Sequence, residues 1–255
     1  MTFHHDRRRA GSFGADAERY DRARPDYPAA LYEDLVAGGP GLVLDVGCGT
    51  GKLGGPLVER GCRVVGVEPD PRMAAVARRR GIAVEVAAFE AWEPAGRRFD
   101  LLVAGQSWHW IDPEAGAARA AEALRPGGRL ALVWNVGRHD DRTADAFDAV
   151  YVRLAPHLVG SAPRPGTPSG DELRPYADAL VATGAFDRPE ERSYPWRRTY
   201  TTAEWLDQLG THSDHRVLPD EQRQALHAAV GEAADRLGGT VPMTYDCVVL
   251  ATSRR

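Results

Sequence analysis

Cysteine is scarce in this chain. Cys48, Cys62 and Cys247 are the only three in 255 residues, and no two share a CxxC spacing. That excludes a disulfide framework and a thiolate metal site, and points to reduced thiols in a reducing compartment. Long apolar runs are also missing. No stretch nears the ~18–20 apolar residues that a membrane span needs, and the N-terminal residues carry no apolar run followed by a small-residue cleavage site. Nor does charge of one sign dominate. Thirty-two basic residues against 36 acidic ones leave a net charge of −4, which gives no electrostatic case for nucleic acid or an anionic membrane as partner. The run Arg7-Arg8-Arg9 follows Asp6 and is too brief for a binding arm, so a solvated N-terminal segment is expected. With 43% hydrophobic and 27% charged residues the composition is that of an ordinary globular protein, and a cytoplasmic one is expected. The length suits one large α/β domain with insertions better than two domains.

What is present is a regular alternation. Phe13 to Tyr32 interleaves aromatic residues with Arg and Asp. Asp16 is placed to cap a short helix that Pro25 and Pro28 interrupt. Ala29 to Ala37 is amphipathic and stops at Gly38-Gly39-Pro40-Gly41. Five apolar strand patterns follow: Gly41–Val46, Arg63–Val67, Ile82–Ala87, Phe99–Ala104 and Gly128–Trp134. Between them lie helical patterns over Leu53–Arg60, Pro71–Arg80 and Pro113–Leu124, the second with proline at its start and Gly81 past its end. Strands alternating with helices at this pitch imply a parallel sheet covered by helices on both faces.

After Asn135 the alternation breaks. Thr143–Leu154 and Asp171–Thr183 read as helices, and Pro156 to Gly170 between them is rich in Pro, Gly and Ser. This stretch exceeds what a simple crossover needs, so part of it is expected to cap the site. Arg192–Tyr200 and Tyr245–Ala251 are the last two strand patterns, and an amphipathic helix, roughly Pro219 to Leu237, lies between them.

The sharpest chemical signal is Asp45-Val46-Gly47-Cys48-Gly49-Thr50-Gly51. A strand ending in closely spaced glycines and opening into a helix brings bare backbone against a ligand at the carboxyl edge of a sheet. The glycine spacing is GxGxG, whereas the dinucleotide fingerprint is GxGxxG. Seventeen residues beyond Gly51, at the end of the second strand, stands Glu68, which can accept hydrogen bonds from both ribose hydroxyls of an adenosine.

Four segments in order carry a resemblance: LVLDVGCGTG, VVGVEPD, FDLLVAGQSWHWID and LRPGGRLALVWN. Over Leu42 to Asn135 the chain resembles the class I S-adenosylmethionine-dependent methyltransferases, in particular the small-molecule group that includes ubiquinone-biosynthesis and trans-aconitate methyltransferases. The resemblance implies a Rossmann-like α/β fold, a seven-stranded mostly parallel sheet with helices on both faces. An N-terminal lid (1–37), a cofactor-binding core (38–136), cap insertions around strand six (137–240) and a last strand (241–255) would make up a single domain. It also implies S-adenosyl-L-methionine as cofactor and site roles residue by residue. Asp45 would face the methionine end, directly or through water, and Gly47, Gly49 and Gly51 would line the methionyl-ribose contact. Glu68 would hold the ribose, with Pro69 and Asp70 flanking the adenine. Phe89 and Glu90 follow the third strand, where the family contacts adenine. There the chain reads Ala88-Phe89-Glu90, while many relatives place an acid directly after the small residue, so the resemblance leaves the contact open between Phe89 and Glu90. Gln106 and Ser107 would lie beside the sulfonium, and Tyr20 or Arg24 of the lid would meet the cofactor carboxylate.

Acceptor chemistry is less defined. Methyl transfer is an in-line displacement in which positioning and desolvation do much, and a base is needed only where the acceptor must lose a proton. His109, in Gln106-Ser107-Trp108-His109-Trp110 directly after strand four, is the first candidate base; a structural histidine bonding a neighbouring loop is its alternative. Thr211-His212-Ser213-Asp214-His215 offers a second candidate, in which His212 and His215 with Asp214 form an acid–base pair, or else a polar lid or helix cap. HxxH lacks an evident third metal ligand, so no metal is expected. His139-Asp140-Asp141 follows strand five, where metal-dependent catechol-type methyltransferases place acidic ligands, but Asp140 or Asp141 is expected instead to cap the following helix. Cys48 reads as a small apolar filler in the loop. Tryptophans 108, 110, 134, 196 and 205 suit core positions or the walls of a flat acceptor pocket, and also the cation–π attraction of a sulfonium. The expected partner is a small-molecule acceptor, neither nucleic acid nor membrane, with a monomer or homodimer as the working unit. A catalytically silent cofactor-binding subunit and a nucleic-acid methyltransferase are the competing functions. The chain lacks the Asn/Asp-Pro-Pro-aromatic and Pro-Cys motifs of base methylation, and its glycine spacing counts against a nicotinamide dehydrogenase.

Overall fold

The computed structural model describes residues 16–159 and 170–255. The apolar run before the glycines forms β1 (Leu42–Val46), with β2 (Arg63–Val67) and β4 (Phe99–Gly105) paired to it in parallel on either side. Flanked on both edges and covered on both faces, β1 is uniformly apolar rather than alternating, apart from Asp45. β3 (Ala83–Glu85) lies outside β2, and β5 (Leu124–His139) pairs in parallel with β4. The last strand, β7 (Thr240–Ser253), runs antiparallel between β5 and β6 (Glu190–Thr201), giving the order β3-β2-β1-β4-β5-β7-β6. Between β1 and β4 the order reverses direction, and a crevice opens there beyond the carboxyl ends of the strands.

Ten helices are assigned among the described residues. α1 (Ala17–Ala23) starts where Asp16 accepts a hydrogen bond from the Arg19 N–H at 3.0 Å, and α2 (Ala29–Val36) starts after Pro28. α3 (Gly54–Glu59), α4 (Pro71–Arg79) and α5 (Pro113–Ala123) are the crossover helices. Asp70 and Asp112 cap the last two, each followed by a proline whose missing N–H costs nothing in a first turn. α6 (Asp141–Leu154) is capped by Asp140, as expected, and α7 (Gly170–Ala182) follows. α8 (Thr202–Leu209) opens with a reciprocal Thr201–Glu204 capping box. The short α9 (Ser213–Arg216), which the pattern did not suggest, and α10 (Asp220–Arg236) complete the set.

Burial divides into three regions. Leu44, Phe99, Trp108 and Leu130 lie under one face of the sheet with α5 and α7; Leu31, Leu57, Val64 and Ile82 lie under the other with α2 to α4. Each such aliphatic side chain contributes about 1.5–3 kcal/mol by leaving water. A third cluster, with Phe147, Tyr151, Trp205, Leu226 and Val230, belongs to a cap made by α6, α8 and α10.

The three C-terminal strands are longer than the apolar patterns suggested. β5 continues past Trp134 to His139 because β7 keeps pairing with it, from Arg129↔Ser253 to His139↔Met243. Asn135, Gly137 and Arg138 hide this extension from a hydrophobicity reading, since the ladder of backbone hydrogen bonds rather than apolar burial sustains it. The other helix and strand ends shift by a residue or a few. The Arg7–Arg9 run and most of Pro156–Gly170 lie outside the described residues. Among the described residues, no helix is long and apolar enough to cross a membrane.

Candidate active site

At the tip of β1 the chain turns through Gly47, whose φ of +62° belongs to the left-handed region. A Cβ there would lie 2.5 Å from that of Ser107, so the turn needs a residue without one. Ser107 in turn donates from its hydroxyl to the Val46 carbonyl at 2.6 Å and ties the end of β4 to β1. The preceding Gln106 has a φ of +55°, an uncommon conformation for a side-chain-bearing residue, and its amide donates to the Asn135 carbonyl at 2.8 Å.

Two carboxylates face this turn. Glu68, buried at the end of β2, accepts from the backbone N–H of Gly49 and of Asp70, each at 2.9 Å. Burial raises its pKa, and the two N–H donors oppose the rise. Asp45 is 1% exposed, and its Oδ2 has no hydrogen-bond partner among the described residues. Gly54 makes room for it: a Cβ on Gly54 would stand 2.5 Å from Oδ2. Burial, then the neighbouring charge of Glu68, pushes the Asp45 pKa up to about 7, against the help of a Gly54 backbone hydrogen bond. A buried carboxylate oxygen left unpaired in a cleft of bare backbone is what a ligand donor would satisfy.

Residues 19–26 are tied to the core on one side and to the cap on the other. Lys52, just past the glycines, donates to the Asp21 carbonyl and pairs with Asp26, both at 2.8 Å. Arg80 of the core holds the Asp21 carboxylate with one nitrogen at 2.8 and 2.9 Å. On the other side, Arg19 and Arg22 reach Asp207 of α8 at 2.6 and 3.1 Å. Asn135 on β5 donates to the Asp26 carbonyl and accepts from the Trp196 indole, each at 2.9 Å. Trp196 stacks on Tyr245, with ring centroids 4.6 Å apart. Arg24 donates to the Thr211 carbonyl at 2.9 Å and lies 5.2 Å from the Tyr20 ring centroid, while its Nε is buried with no partner among the described residues.

The histidines divide into two kinds. His109 is half-buried in a 3-10 turn, Trp108–Trp110, where burial and then the Arg24 charge lower its pKa to about 4. His212 precedes α9; burial and then Arg24 hold its pKa well below the ordinary range, and its Nε2 is buried and unbonded among the described residues. His109 and His212 therefore both feel the charge of one guanidinium. His215 is placed differently. Its ring nitrogens engage the Tyr151 hydroxyl at 2.9 Å and His227 at 3.0 Å, while Asp214 accepts from the His215 backbone N–H. The His–Asp imidazole pair envisaged for this segment is not formed.

Of the other expected contacts, Pro69 stands exposed at the end of β2 and Asp70 caps α4. Phe89 is buried, its ring packed on Trp92 and Trp108 in the core, and the Glu90 carboxylate accepts from the Asp112 N–H at 3.2 Å. Cys48 packs against Gly66, where a Cβ would come within 2.6 Å of its sulfur. His139 was not anticipated. It is buried edge-on against Phe147 and Trp205, both nitrogens unpartnered among the described residues, with a pKa pushed down to about 4. Trp205 Nε1 and Gln208 Oε1 are likewise buried and unbonded. No spacing rule marks these three, because cap packing alone brings them together. Among the described residues, no group of three His, Cys, Asp or Glu is disposed to hold a metal.

A family model described as a methyltransferase domain matches residues 43–128. An uncharacterized methyltransferase of Mycobacterium tuberculosis is 33% identical over 215 residues, 83% of this chain and 81% of the relative. The chain belongs to the class I S-adenosylmethionine-dependent methyltransferases. A solved structure from Anaeromyxobacter dehalogenans, assigned as a type II methyltransferase, aligns at 26% identity with a TM-score of 0.61, covering 89% of this chain and 97% of that one. A ubiquinone biosynthesis O-methyltransferase of Methylocella silvestris is 35% identical over 130 residues, 48% of each chain. The cofactor of this methyltransferase is S-adenosyl-L-methionine, and the residues present fit it. The glycine turn leaves backbone bare, Glu68 offers a carboxylate at the end of β2, and the unpartnered Asp45 oxygen awaits a donor.

Proposed function

We propose that this methyltransferase acts on a small-molecule acceptor in the cytoplasm. The observation that carries the reading is the double tether of residues 19–26. The N-terminal segment is ion-paired to the core through Asp26–Lys52 and Asp21–Arg80 and to the cap through Arg19–Asp207, an arrangement that suits a metabolite better than a duplex as acceptor. The chain's acidic balance supports the same reading.

Bound S-adenosylmethionine supplies a methyl group activated by a sulfonium. The chain's own residues bind and orient. Asp45 accepts from the methionine amino group directly or through water; Gly47, Gly49 and Gly51 admit the methionyl-ribose portion; Glu68 accepts from the ribose hydroxyls. Pro69, Phe89 and Glu90 belong to the adenine side, where the burial of the Phe89 ring leaves its backbone as the contact. Gln106 and Ser107 border the reacting centre, and Tyr20 or Arg24 meets the cofactor carboxylate. The lid excludes water, which strengthens each of these polar contacts. His109 and His212, both in the field of Arg24, are the two groups that can orient the acceptor or accept its proton; both are kept neutral by burial at physiological pH. His215, held by Tyr151 and His227, positions the His212 segment.

The test is methyl transfer over a panel of hydroxylated, amino, thiol and carboxylate metabolites, with His109→Ala and His212→Ala assayed beside the wild type. A positioned base contributes roughly 10²–10⁴-fold in rate, so loss of the acting histidine lowers turnover by that order while S-adenosylhomocysteine affinity holds. Full turnover in both variants refutes an acid–base role for either. Tight cofactor binding with no turnover over the panel favours the silent-subunit reading instead.

A further inference from the structure

The three long strands carry the cap on one face of their extended ends, and their second face carries a feature the methyl-transfer reading does not use. Arg138 of β5 and Arg197 of β6 both register opposite Thr244 of β7, which runs between them. Residues directly opposite one another on neighbouring strands share a face, so the two arginines and the threonine form one row. Two strand spacings separate the arginine backbones by ~10 Å, within reach of guanidinium groups converging on one ligand. A cavity of about 370 Å³ lies along this row, lined also by Thr199, Pro242 and Asp140. His139, the next residue on β5, turns its ring to the opposite face, against Phe147 and Trp205.

Neither guanidinium forms a hydrogen bond or ion pair with a described residue. That sets them apart from their neighbours. Arg192, on the same strand as Arg197, holds Asp34 at 2.9 Å, and Arg198 covers the Tyr200 ring. The nearby acids are already committed: Asp140 accepts from the Thr143 N–H at 2.8 Å as the cap of α6, and Asp246, one row along β7, accepts from the Ser193 hydroxyl. Two uncompensated guanidinium forks flanking a threonine, with a second threonine hydroxyl in the same cavity, match the tetrahedral oxygens of a phosphate better than the two oxygens of a carboxylate. We infer that the Arg138–Thr244–Arg197 row is a binding site for a phosphate-bearing small molecule, separate from the cofactor cleft. The Asp140 carboxylate at the rim keeps the anionic group between the two arginines and away from the end of β5.

Calorimetric titration of pyrophosphate into the protein saturated with S-adenosylhomocysteine tests this directly. The expected result is binding at one site, weakened by added salt and undiminished by S-adenosylhomocysteine. Arg138→Gln and Arg197→Gln each weaken it at least about tenfold, or ~1.4 kcal/mol. Arg236→Gln, which removes an exposed pair with Glu232 on α10, leaves it unchanged. Thermal unfolding of each variant verifies that the fold is kept. Absence of pyrophosphate binding to the wild type, displacement by S-adenosylhomocysteine, or wild-type affinity in either arginine variant overturns the site. Tighter binding of succinate than of pyrophosphate overturns the phosphate assignment.

Discussion

Titrating Asp45 should switch cofactor affinity on and off near neutral pH. Its carboxyl is 1% exposed, with one oxygen unpartnered among the described residues, and burial places its pKa at about 7. At pH 8 the group is roughly nine-tenths ionised and at pH 6 roughly one-tenth, by the usual logarithmic relation. A ligand ammonium pairs with the ionised form, so S-adenosylhomocysteine should bind about tenfold more weakly at pH 6 than at pH 8, or ~1.3 kcal/mol. His109, held at about 4, and His212, held well below its ordinary range, do not titrate in that window. The stability of the free protein has the opposite sign. A carboxyl whose folded pKa is raised favours the protonated fold, so its contribution is present at low pH and is lost as pH rises through about 7. A bound ammonium offsets that loss, and the thermal stabilisation by S-adenosylhomocysteine should therefore grow from pH 6 to pH 8. Isothermal calorimetry across this range, on the wild type and on Asp45→Asn, checks the argument. A flat wild-type profile, or the same slope in the asparagine variant, refutes it.

Two further outcomes follow from the same cleft. Glu68→Ala removes the acceptor for the Gly49 and Asp70 N–H groups as well as for the ribose, so cofactor affinity should fall by about 1.5–3 kcal/mol per charge-assisted bond lost, read by calorimetry on the folded variant. Gly47→Ala sets a Cβ 2.5 Å from that of Ser107 at a φ of +62°, and should destabilise the protein by at least ~1–3 kcal/mol while weakening cofactor binding; an unchanged melting temperature contradicts the tight turn.

Much of the core was legible because its signals are local. The five parallel strands announced themselves as apolar runs, and Asp16 and Asp140 cap helices by accepting from backbone N–H groups three residues on. Asp45, the glycine turn and Glu68 sit on consecutive strand ends, so strand order alone brings them to one edge. What the chain text could not supply depends on partners distant in sequence. The extension of β5 to His139 rests on ladder bonds to β7, more than a hundred residues later. The engagement of both His215 ring nitrogens depends on Tyr151 and His227, which only the packing of α6 and α10 brings near. Burial of the Phe89 ring is likewise a matter of which residues lie beneath the sheet. The sequence by itself determined the Rossmann-like core and the cofactor edge, since periodicity and glycine chemistry act within a few residues. Tertiary structure alone decided the ion pairs that tie residues 19–26 to core and cap, the raised Asp45 pKa and the lowered histidine pKa values, because ion pairing and desolvation arise only when distant segments meet.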